Sequence, residues 1–298
     1  MKVWMEGRIV DGKDARLNVC DHGLLYGDGV FEGIRIYNGR AFRLADHLKR
    51  LGFSAAYIGL ELPCSLERTG EIIEETAAAF GQREAYVRLL VTRGVGDFGV
   101  DPFSCEGPQL VCMVGGIALY DPKSMQAGID MVTTSVRKPP PDVLNPEVKS
   151  LNYLNSVMAK REARLRGAHE GLVLNLQGRV AEASVANVFA WIDGALVTPP
   201  TIDGALPGIT RSTVIRLAGE LGIETQIRSI GHAELMRADE VFLSGSGARL
   251  VPVGRLDTVM IGAGSRPVLE RIEDAFREFT LHATEVNAQA VQSRSLPC

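Results

Sequence analysis

In a chain of 298 residues, the stretch from Pro146 to Asn155 carries residue types that could do covalent chemistry: Pro146-Glu147-Val148-Lys149-Ser150-Leu151-Asn152-Tyr153-Leu154-Asn155. A lysine amine is a poor nucleophile while protonated. Among apolar groups or beside another cation its pKa falls, and it can then form a Schiff base with a carbonyl. A lone lysine is most often a solvated surface charge, so it is the flanks of Lys149 that single it out. Asn152, Tyr153 and Asn155 place hydrogen-bonding groups just after it. Leu154, Val157, Met158, Arg161 and Leu165 follow at helical spacing. Lys149 is therefore expected at a strand-to-helix junction, with the Tyr153 phenol one turn on.

Other stretches could bind anions or charged substrates. Tyr86 and Arg88 stand two apart in the strand-like run from Ala85 to Gly94, so they share a face. A phenol beside a guanidinium makes a carboxylate receptor. Arg93 falls on the opposite face if the strand stays regular, although a bend at Gly94 would swing it inward. Glu182 interrupts small apolar residues between Val180 and Ala186. A buried carboxylate there needs a partner; a glutamate at an exposed hairpin tip does not. Leu206-Pro207-Gly208-Ile209-Thr210-Arg211 opens a helix, and helix N-termini suit phosphates. Ser244-Gly245-Ser246-Gly247-Ala248-Arg249 is a small-residue turn after a strand, where N–H groups and the Ser246 hydroxyl could take an oxyanion. Arg50 sits in a helix, either as a solvated charge or as a fork for an anion.

These residues need elements to position them. Residues 1–20 read as a short hairpin turned at Glu6-Gly7. Gly27, Gly29 and Gly33 precede and enter a strand from Val30 to Tyr37, which argues against a dinucleotide-binding loop, since that loop leads into a helix. Asn38-Gly39 marks a hairpin turn. Asp46 is expected to cap a helix bearing Leu44, Leu48, Leu51, Ala55 and Ile58 on one face. A second helix runs from about Ser65 to Phe80 and stops at Gly81. The glycine-rich loop from Gly94 to Pro102 is a connector or an active-site lid. An apolar strand from Gln109 to Ile117 precedes a polar stretch at 118–126. The expected division is thus a small N-terminal α/β domain at 1–117, a linker at 118–126 and a larger C-terminal domain at 127–298 that carries Lys149. Lys138-Pro139-Pro140-Pro141 reads as a stiff extended approach to Lys149, or as a polyproline partner motif. The final helix starts at Pro267 and runs to about His282, and the tail to Cys298 is expected to fray.

Composition narrows the function classes. A hydrophobic fraction of 46% and a charged fraction of 23% are those of an ordinary globular protein. The net charge of -4 offers no basic surface for nucleic acid. No run approaches the ~20 apolar residues of a membrane span, and the N-terminus lacks a signal-peptide core. The five cysteines are scattered without Cys-x-x-Cys spacing, and no two histidines pair at ligand spacing, so neither a metal nor a disulfide framework is expected. A reduced, cytoplasmic setting fits.

The segment Lys149-Ser150-Leu151-Asn152-Tyr153-Leu154-Asn155 resembles the lysine segment of fold-type IV pyridoxal phosphate enzymes. That group comprises the branched-chain aminotransferases, D-amino acid aminotransferases and aminodeoxychorismate lyases. The resemblance extends in ordered motifs from Asp21 to about Pro252 and leans to the branched-chain subgroup through Tyr86-Val87-Arg88. It implies a two-domain α/β (α+β) fold with pyridoxal 5'-phosphate in the cleft. It implies that Lys149 carries the cofactor and then moves the proton. Tyr153 would meet the ring hydroxyl and Glu182 the ring nitrogen, while Arg50, Gly208, Ile209, Thr210 and Ser246 would hold the phosphate. Tyr26, Phe31, Gly33, Arg35, Tyr86, Arg88 and Gly247 would line the substrate pocket. Where the family shows Gly-Thr-Ala-Ala-Glu, this chain has Ser246 for threonine, Gly247 for alanine and Arg249 for the acid, a charge reversal. The implied activity is ping-pong transfer of an amino group between an aliphatic L-amino acid and 2-oxoglutarate, as in branched-chain amino acid biosynthesis, by a homodimer or higher oligomer. A D-amino acid or (R)-amine transaminase, favoured by Arg93, an aminodeoxychorismate lyase and a non-catalytic cofactor-binding protein are the alternatives.

Overall fold

A computed structural model describes residues 1–292 apart from Leu119 and Ala263, with side chains to Leu281. The chain divides into two compact units. The first holds Met1–Ile117, Lys149–Asn152 and the chain from Arg277; the second holds Ala118–Val148 and Tyr153–Phe276.

In the first unit, β1 (Lys2–Met5) and β2 (Arg8–Asp11) form the expected hairpin, with Glu6 and Gly7 in the left-handed region at φ 49° and 77°. β3 (Gly29–Tyr37) and β4 (Arg40–Ala41) turn at Asn38-Gly39, as that pair dictates. β5 (Ala85–Thr92) and β6 (Gln109–Gly115) complete a six-stranded antiparallel sheet in the order β2-β1-β6-β5-β3-β4. A single turn that the periodicity did not reveal, α1 (His22–Tyr26), is capped by Asp21, whose Oδ1 accepts from the Gly23 N–H at 2.7 Å. The helices α2 (Leu44–Tyr57) and α3 (Leu66–Phe80) lay Leu48, Leu51, Ile72 and Ile73 against Val30, Ile34, Val87 and Leu89 of the sheet. Ser65 caps α3 and Gly81 ends it, as expected. Asp46 does not cap α2. Arg43 occupies the N-cap, and Asp46, one turn in, accepts from Arg43 Nε at 2.8 Å, where its charge still faces the positive helix end.

Alternation gives β3 two faces. Val30, Ile34 and Ile36 join the helices in the core. Phe31, Gly33 and Arg35 point the other way, and the register Gly33↔Arg88 and Arg35↔Tyr86 puts the β5 pair on that same face. The lysine segment, expected with the second domain, packs on this strand. Phe31 N–H donates to the Lys149 carbonyl at 2.9 Å, and Leu151 N–H donates to that of Gly29 at 2.9 Å. Lys149 therefore sits on an edge segment of β3, not at the end of a strand entering a helix. Backbone pairing across more than a hundred residues leaves no trace in local periodicity.

The second unit is built on a nine-stranded mixed sheet. Its strands are β7 (Ile129–Arg137), β8 (Glu170–Leu174), β9 (Val180–Ala183), β10 (Asn187–Ile192), β11 (Ala195–Thr198), β12 (Thr225–Ile227), β13 (Glu240–Gly245), β14 (Arg249–Leu256) and β15 (Val259–Met260). They run in the order β12-β11-β10-β13-β14-β7-β8-β9, with β15 added to β14. The helices are α4 (Pro122–Ala127), which starts inside the expected linker and ends one residue past it, α5 (Leu154–Leu165), α6 (Ile209–Glu220), α7 (His232–Leu235) and α8 (Pro267–Gln292). The apolar core draws on Met131, Leu172, Val188, Val241, Leu243 and Val251. Glu240 caps α8, accepting from the N–H groups of Val268 and Leu269 at 2.9 Å. α8 runs on to Gln292, past the end expected near His282, so the first part of the tail expected to fray is helical; its remainder, 293–298, lies outside the described residues. Among the described residues no helix is long and apolar enough to cross a membrane.

Candidate active site

The first unit collects the Lys149 amine and several cations. Lys149 is half-buried, and its backbone N–H is held by Ser54 Oγ at 3.1 Å. Its Nζ stands 4.4 Å from the centroid of the buried Phe31 ring. Arg88 stacks its guanidinium on the same ring at 4.8 Å and lies 5.7 Å from the Tyr86 ring. Gly33 lets the Tyr86 phenol lie close over the strand: a Cβ would lie 2.0 Å from the Tyr86 hydroxyl oxygen. Lys149, Phe31, Gly33, Tyr86 and Arg88 are thus brought together. Arg35 lies on the same face but reaches Glu84 at 3.6 Å and the Tyr37 ring at 5.8 Å. Tyr26 packs edge-on to His22, and its hydroxyl donates to the Phe98 carbonyl in the glycine-rich loop.

Arg93 is committed to the fold. Its Nε and Nη2 grip Asp28 at 2.9 and 3.0 Å. Nη1 and Nη2 donate to the carbonyls of Gly59 and Ile58 at 2.7 and 2.8 Å. A fork spent on four acceptors staples the end of α2 to the start of β3.

On the helix-facing side of β3 lies a buried ion cluster. Arg50 holds Glu32 with both arms of its fork, Nε to Oε1 and Nη2 to Oε2, each at 2.8 Å. His47 Nδ1–H donates to Glu32 Oε2 at 2.7 Å. Glu32 is fully buried, and burial alone would raise its pKa. The hydrogen bonds from Arg50 and His47 outweigh that and hold it at about 2. Burial pushes the His47 imidazole down, against the pull of Glu32. A carboxylate that bridges a helix and a strand in this way fixes the Arg50 guanidinium in one orientation. Glu32 and His47 were not singled out in the sequence. An acid inside the apolar run Val30 to Ile34, facing a helix with His47 and Arg50 three apart on one side, was the available signal.

The second unit collects the carboxylate and the helix terminus. Glu182 is buried in β9, not exposed at the hairpin tip. Lys138 Nζ donates to its Oε1. Its Oε2 accepts from the Leu206 N–H at 3.0 Å and lies 3.4 Å from Asn187 Nδ2. Burial would lower the Lys138 pKa, but the Glu182 carboxylate more than offsets this and the net shift is upward, with Tyr153 adding to it. Tyr153, Lys138 and Glu182 therefore form one cluster. Asn187 Nδ2 also donates to the Leu206 carbonyl at 2.8 Å, two residues before Gly208. Gly208 is the N-cap of α6, where no side chain caps the helix, and a Cβ there would meet Asn187 Oδ1 at 2.1 Å. Ile209 and Thr210 form the first turn and are buried. Ser246 and Gly247 lie in the turn between β13 and β14, and Arg249, the charge reversal, takes a left-handed conformation at φ 65°. Ser244 Oγ, buried on the strand position paired with Asn187, has no hydrogen-bond partner among the described residues. Lys138 and Asn187 are the residues the sequence did not reveal. Their link to Glu182 spans β7, β9 and β10, and only the folded sheet closes it.

Each unit by itself holds groups of a kind that part of a phosphorylated pyridine aldehyde takes. The first unit supplies an amine over an aromatic ring and a fixed guanidinium fork. The second supplies a buried, ion-paired carboxylate and a helix N-terminus without a side-chain cap. Among the described residues no group of His, Cys, Asp and Glu could hold a metal ion.

The sheet topology and this donor set define a class IV amino-transferase: that family's model matches residues 29–256, and the chain belongs to the family. Within it, the chain is 44% identical, over 92% of its length and 96% of the relative's, to a Methanocaldococcus jannaschii protein named provisionally as a branched-chain-amino-acid aminotransferase. The crystal structure of the branched-chain amino acid aminotransferase of Escherichia coli superimposes with a TM-score of 0.89 at 34% identity, covering 93% of each chain. The branched-chain amino acid aminotransferase of T.th., complexed with N-(5'-phosphopyridoxyl)-L-glutamate, gives a TM-score of 0.86 at 35% identity, covering 94% of each chain. A D-alanine aminotransferase of Bacillus licheniformis is 32% identical over 95% of this chain and 99% of its own.

Proposed function

We propose that the protein is a branched-chain aminotransferase that moves an amino group between an aliphatic L-amino acid and 2-oxoglutarate. The observation that carries this reading is the Phe31 ring with the Lys149 amine on it at 4.4 Å and the Arg88 guanidinium at 4.8 Å. An amine, a carboxylate receptor and an apolar wall meet on one strand face. Pyridoxal phosphate, when bound, supplies an aldehyde to take up the amino group and a ring that draws electrons from the substrate carbon.

The protein's own residues do the rest. Lys149 Nζ is the base that removes the proton from the substrate Cα, and the apolar Phe31 face limits its hydration. Lys138 and Lys160 are poor candidates for that role, because each is tied to a buried carboxylate, Lys160 to Glu170 at 2.8 Å. Arg88 and Tyr86 take the substrate carboxylate. Phe31 and Gly33 leave space for a branched aliphatic chain, with Tyr26, Arg35 and Gly247 at the margins. Arg50, Ser246 and the N–H groups from Gly208 to Thr210 hold the phosphate, Tyr153 the ring hydroxyl and Glu182 the ring nitrogen. The D-specific reading would recruit Arg93, and its four structural bonds leave that arginine committed elsewhere.

The protein is proposed to act as a homodimer. Phe98 and Val100 on the glycine-rich loop and Phe103 just after it are 86%, 78% and 94% exposed, apolar side chains that a second copy would cover. Free thiols at Cys20, Cys64, Cys105 and Cys112 suit a reducing cytoplasm.

The test assays L-leucine, L-valine, D-alanine and an (R)-amine with 2-oxoglutarate, using wild type, Arg88→Ala and Arg93→Ala. L-leucine should be preferred and lost in Arg88→Ala. Preference for D-alanine or the amine, abolished by Arg93→Ala, overturns the reading. Borohydride reduction of the holoenzyme followed by peptide mapping should place the label on Lys149.

A further inference from the structure

Glu182 lies at the centre of a clamp. One oxygen takes the Lys138 ammonium; the other takes the Leu206 N–H, with the Asn187 amide beside it. Asn187 in turn holds the Leu206 carbonyl, and Leu206 leads through Pro207 to the N-cap of α6. Lys138 is itself anchored: its N–H donates to the Leu174 carbonyl at 2.9 Å, and its Cγ would lie 2.6 Å from a Cβ at Gly204. The three prolines after it, Pro139 to Pro141, leave the chain little freedom to retreat.

We propose that Lys138 is a positioning residue for transamination: its ammonium keeps the Glu182 carboxylate ionised and aimed, and through Leu206 the same clamp sets the turn at Gly208. This rests on the reading that Glu182 meets the ring nitrogen of the cofactor. A carboxylate that must keep a proton on that nitrogen has to stay ionised itself, and in a buried strand an adjacent cation favours that form. The titratable groups in this cluster are Lys138 and Tyr153. Asp203, on the turn packed against β9, bonds instead to Asn175, whose Nδ2 lies 3.4 Å from Asp203 Oδ1.

The experiment compares wild type, Lys138→Met, Lys138→Arg, Glu182→Gln and the double variant Lys138→Met/Glu182→Gln. In cofactor-free protein, the Glu182 carboxyl is followed by isotope-edited infrared titration. Lys138→Met should make it bind a proton at least about tenfold more tightly, the scale of losing an adjacent opposite charge. In the holoenzyme, kcat should fall by on the order of tenfold to a hundredfold, as for a misplaced catalytic group, while KM for L-leucine holds. The acid limb of the kcat profile should move to higher pH. Lys138→Arg should restore both, because the cation returns. In the Glu182→Gln background, Lys138→Met should cost nothing further, and that neutral pair also serves if Lys138→Met alone fails to fold. An unmoved Glu182 titration, an additive loss in the double variant or no rescue by arginine overturns the proposal. If Glu182→Gln leaves kcat intact, the placement of Glu182 fails first. If Glu182→Gln is impaired and Lys138→Met is not, only the role of Lys138 fails.

Discussion

Glu32 in the first unit and Glu182 in the second are each buried on a strand and paired with a cation, yet the two pairs are built in opposite senses. In the first, Glu32 is wholly enclosed and takes three donors from α2, two from Arg50 and one from His47. The carboxylate is the fixture, and the arginine is the group being aimed. In the second, Glu182 receives a lysine, a backbone N–H and an amide from three separate elements. There the carboxylate is the group being aimed, and the cation is the fixture. The choice of cation follows from this. Arginine presents a planar fork with donors to spare after binding one carboxylate, so it can serve a phosphate as well. Lysine is a point charge that can neutralise one oxygen and leave the rest of the carboxylate to face a ligand.

Removing a fixture should cost more than altering the group it aims, which gives the largest expected effect. Glu32→Ala leaves Arg50 and His47 buried without their acceptor and should destabilise the protein by about 3–5 kcal/mol in denaturant unfolding. The pH dependence carries the same signature. The Glu32 carboxyl is held at about 2 when folded, against an ordinary 4.5, so its contribution is complete above 4.5 and is lost as pH falls toward 2. His47, depressed when folded, is protonated more readily in the unfolded chain, so acidification below its ordinary 6.5 removes stability as well. Glu32→Gln should flatten the wild-type slope between pH 4.5 and 2. A variant that keeps that slope, or that unfolds no more easily than wild type, would show that the cluster is incidental.

Next in size is Arg50→Lys. A lysine can still neutralise Glu32, so thermal stability should stay near that of wild type. It cannot hold a carboxylate and a phosphate with one planar fork. Affinity for pyridoxal phosphate should fall about tenfold, near the lower end of what a charge-assisted hydrogen bond contributes. Fluorescence titration of the cofactor-free protein measures it, and unchanged affinity would remove Arg50 from the phosphate site.

The comparison also explains what could be read without coordinates. Strands and helices with clean periodicity, such as β5 with its Tyr86-Arg88 face and α3 between Ser65 and Gly81, were legible because local spacing and caps determine them. Lys149 was legible by its neighbours in the chain. Its place on the edge of β3 was not, since that depends on two backbone hydrogen bonds to residues more than a hundred positions away. Glu182 was visible as an acid in an apolar run, but its partner Lys138 was hidden before prolines that read as a stiff extended approach to Lys149 or a polyproline partner motif. Arg93 shows the converse. Its type and position suggested a substrate ligand, and four bonds to Asp28, Ile58 and Gly59 make it a staple instead.

The smallest expected effect separates the two faces of β3. Gly33 follows Glu32 directly and points the opposite way, toward Tyr86 and Arg88. A Cβ at Gly33 would lie 2.0 Å from the Tyr86 hydroxyl oxygen and 2.9 Å from Cζ. Those atoms are the far end of a side chain, so the ring can swing aside while the strand stays in register. Gly33→Ala should therefore cost only about 1 kcal/mol of stability, the low end for an overpacked site. The displaced phenol no longer stands beside Arg88, so KM for L-leucine should rise while the cofactor affinity holds. Adding Tyr86→Phe removes the nearest clashing atom and should recover the stability but not the KM, because in the proposed receptor the hydroxyl binds the carboxylate. If Gly33→Ala weakens pyridoxal phosphate as much as Arg50→Lys does, the two faces share one task and the division of labour across β3 is wrong. If KM is untouched, the Tyr86–Arg88 pair is not the carboxylate receptor, and the substrate is held by another face of the protein.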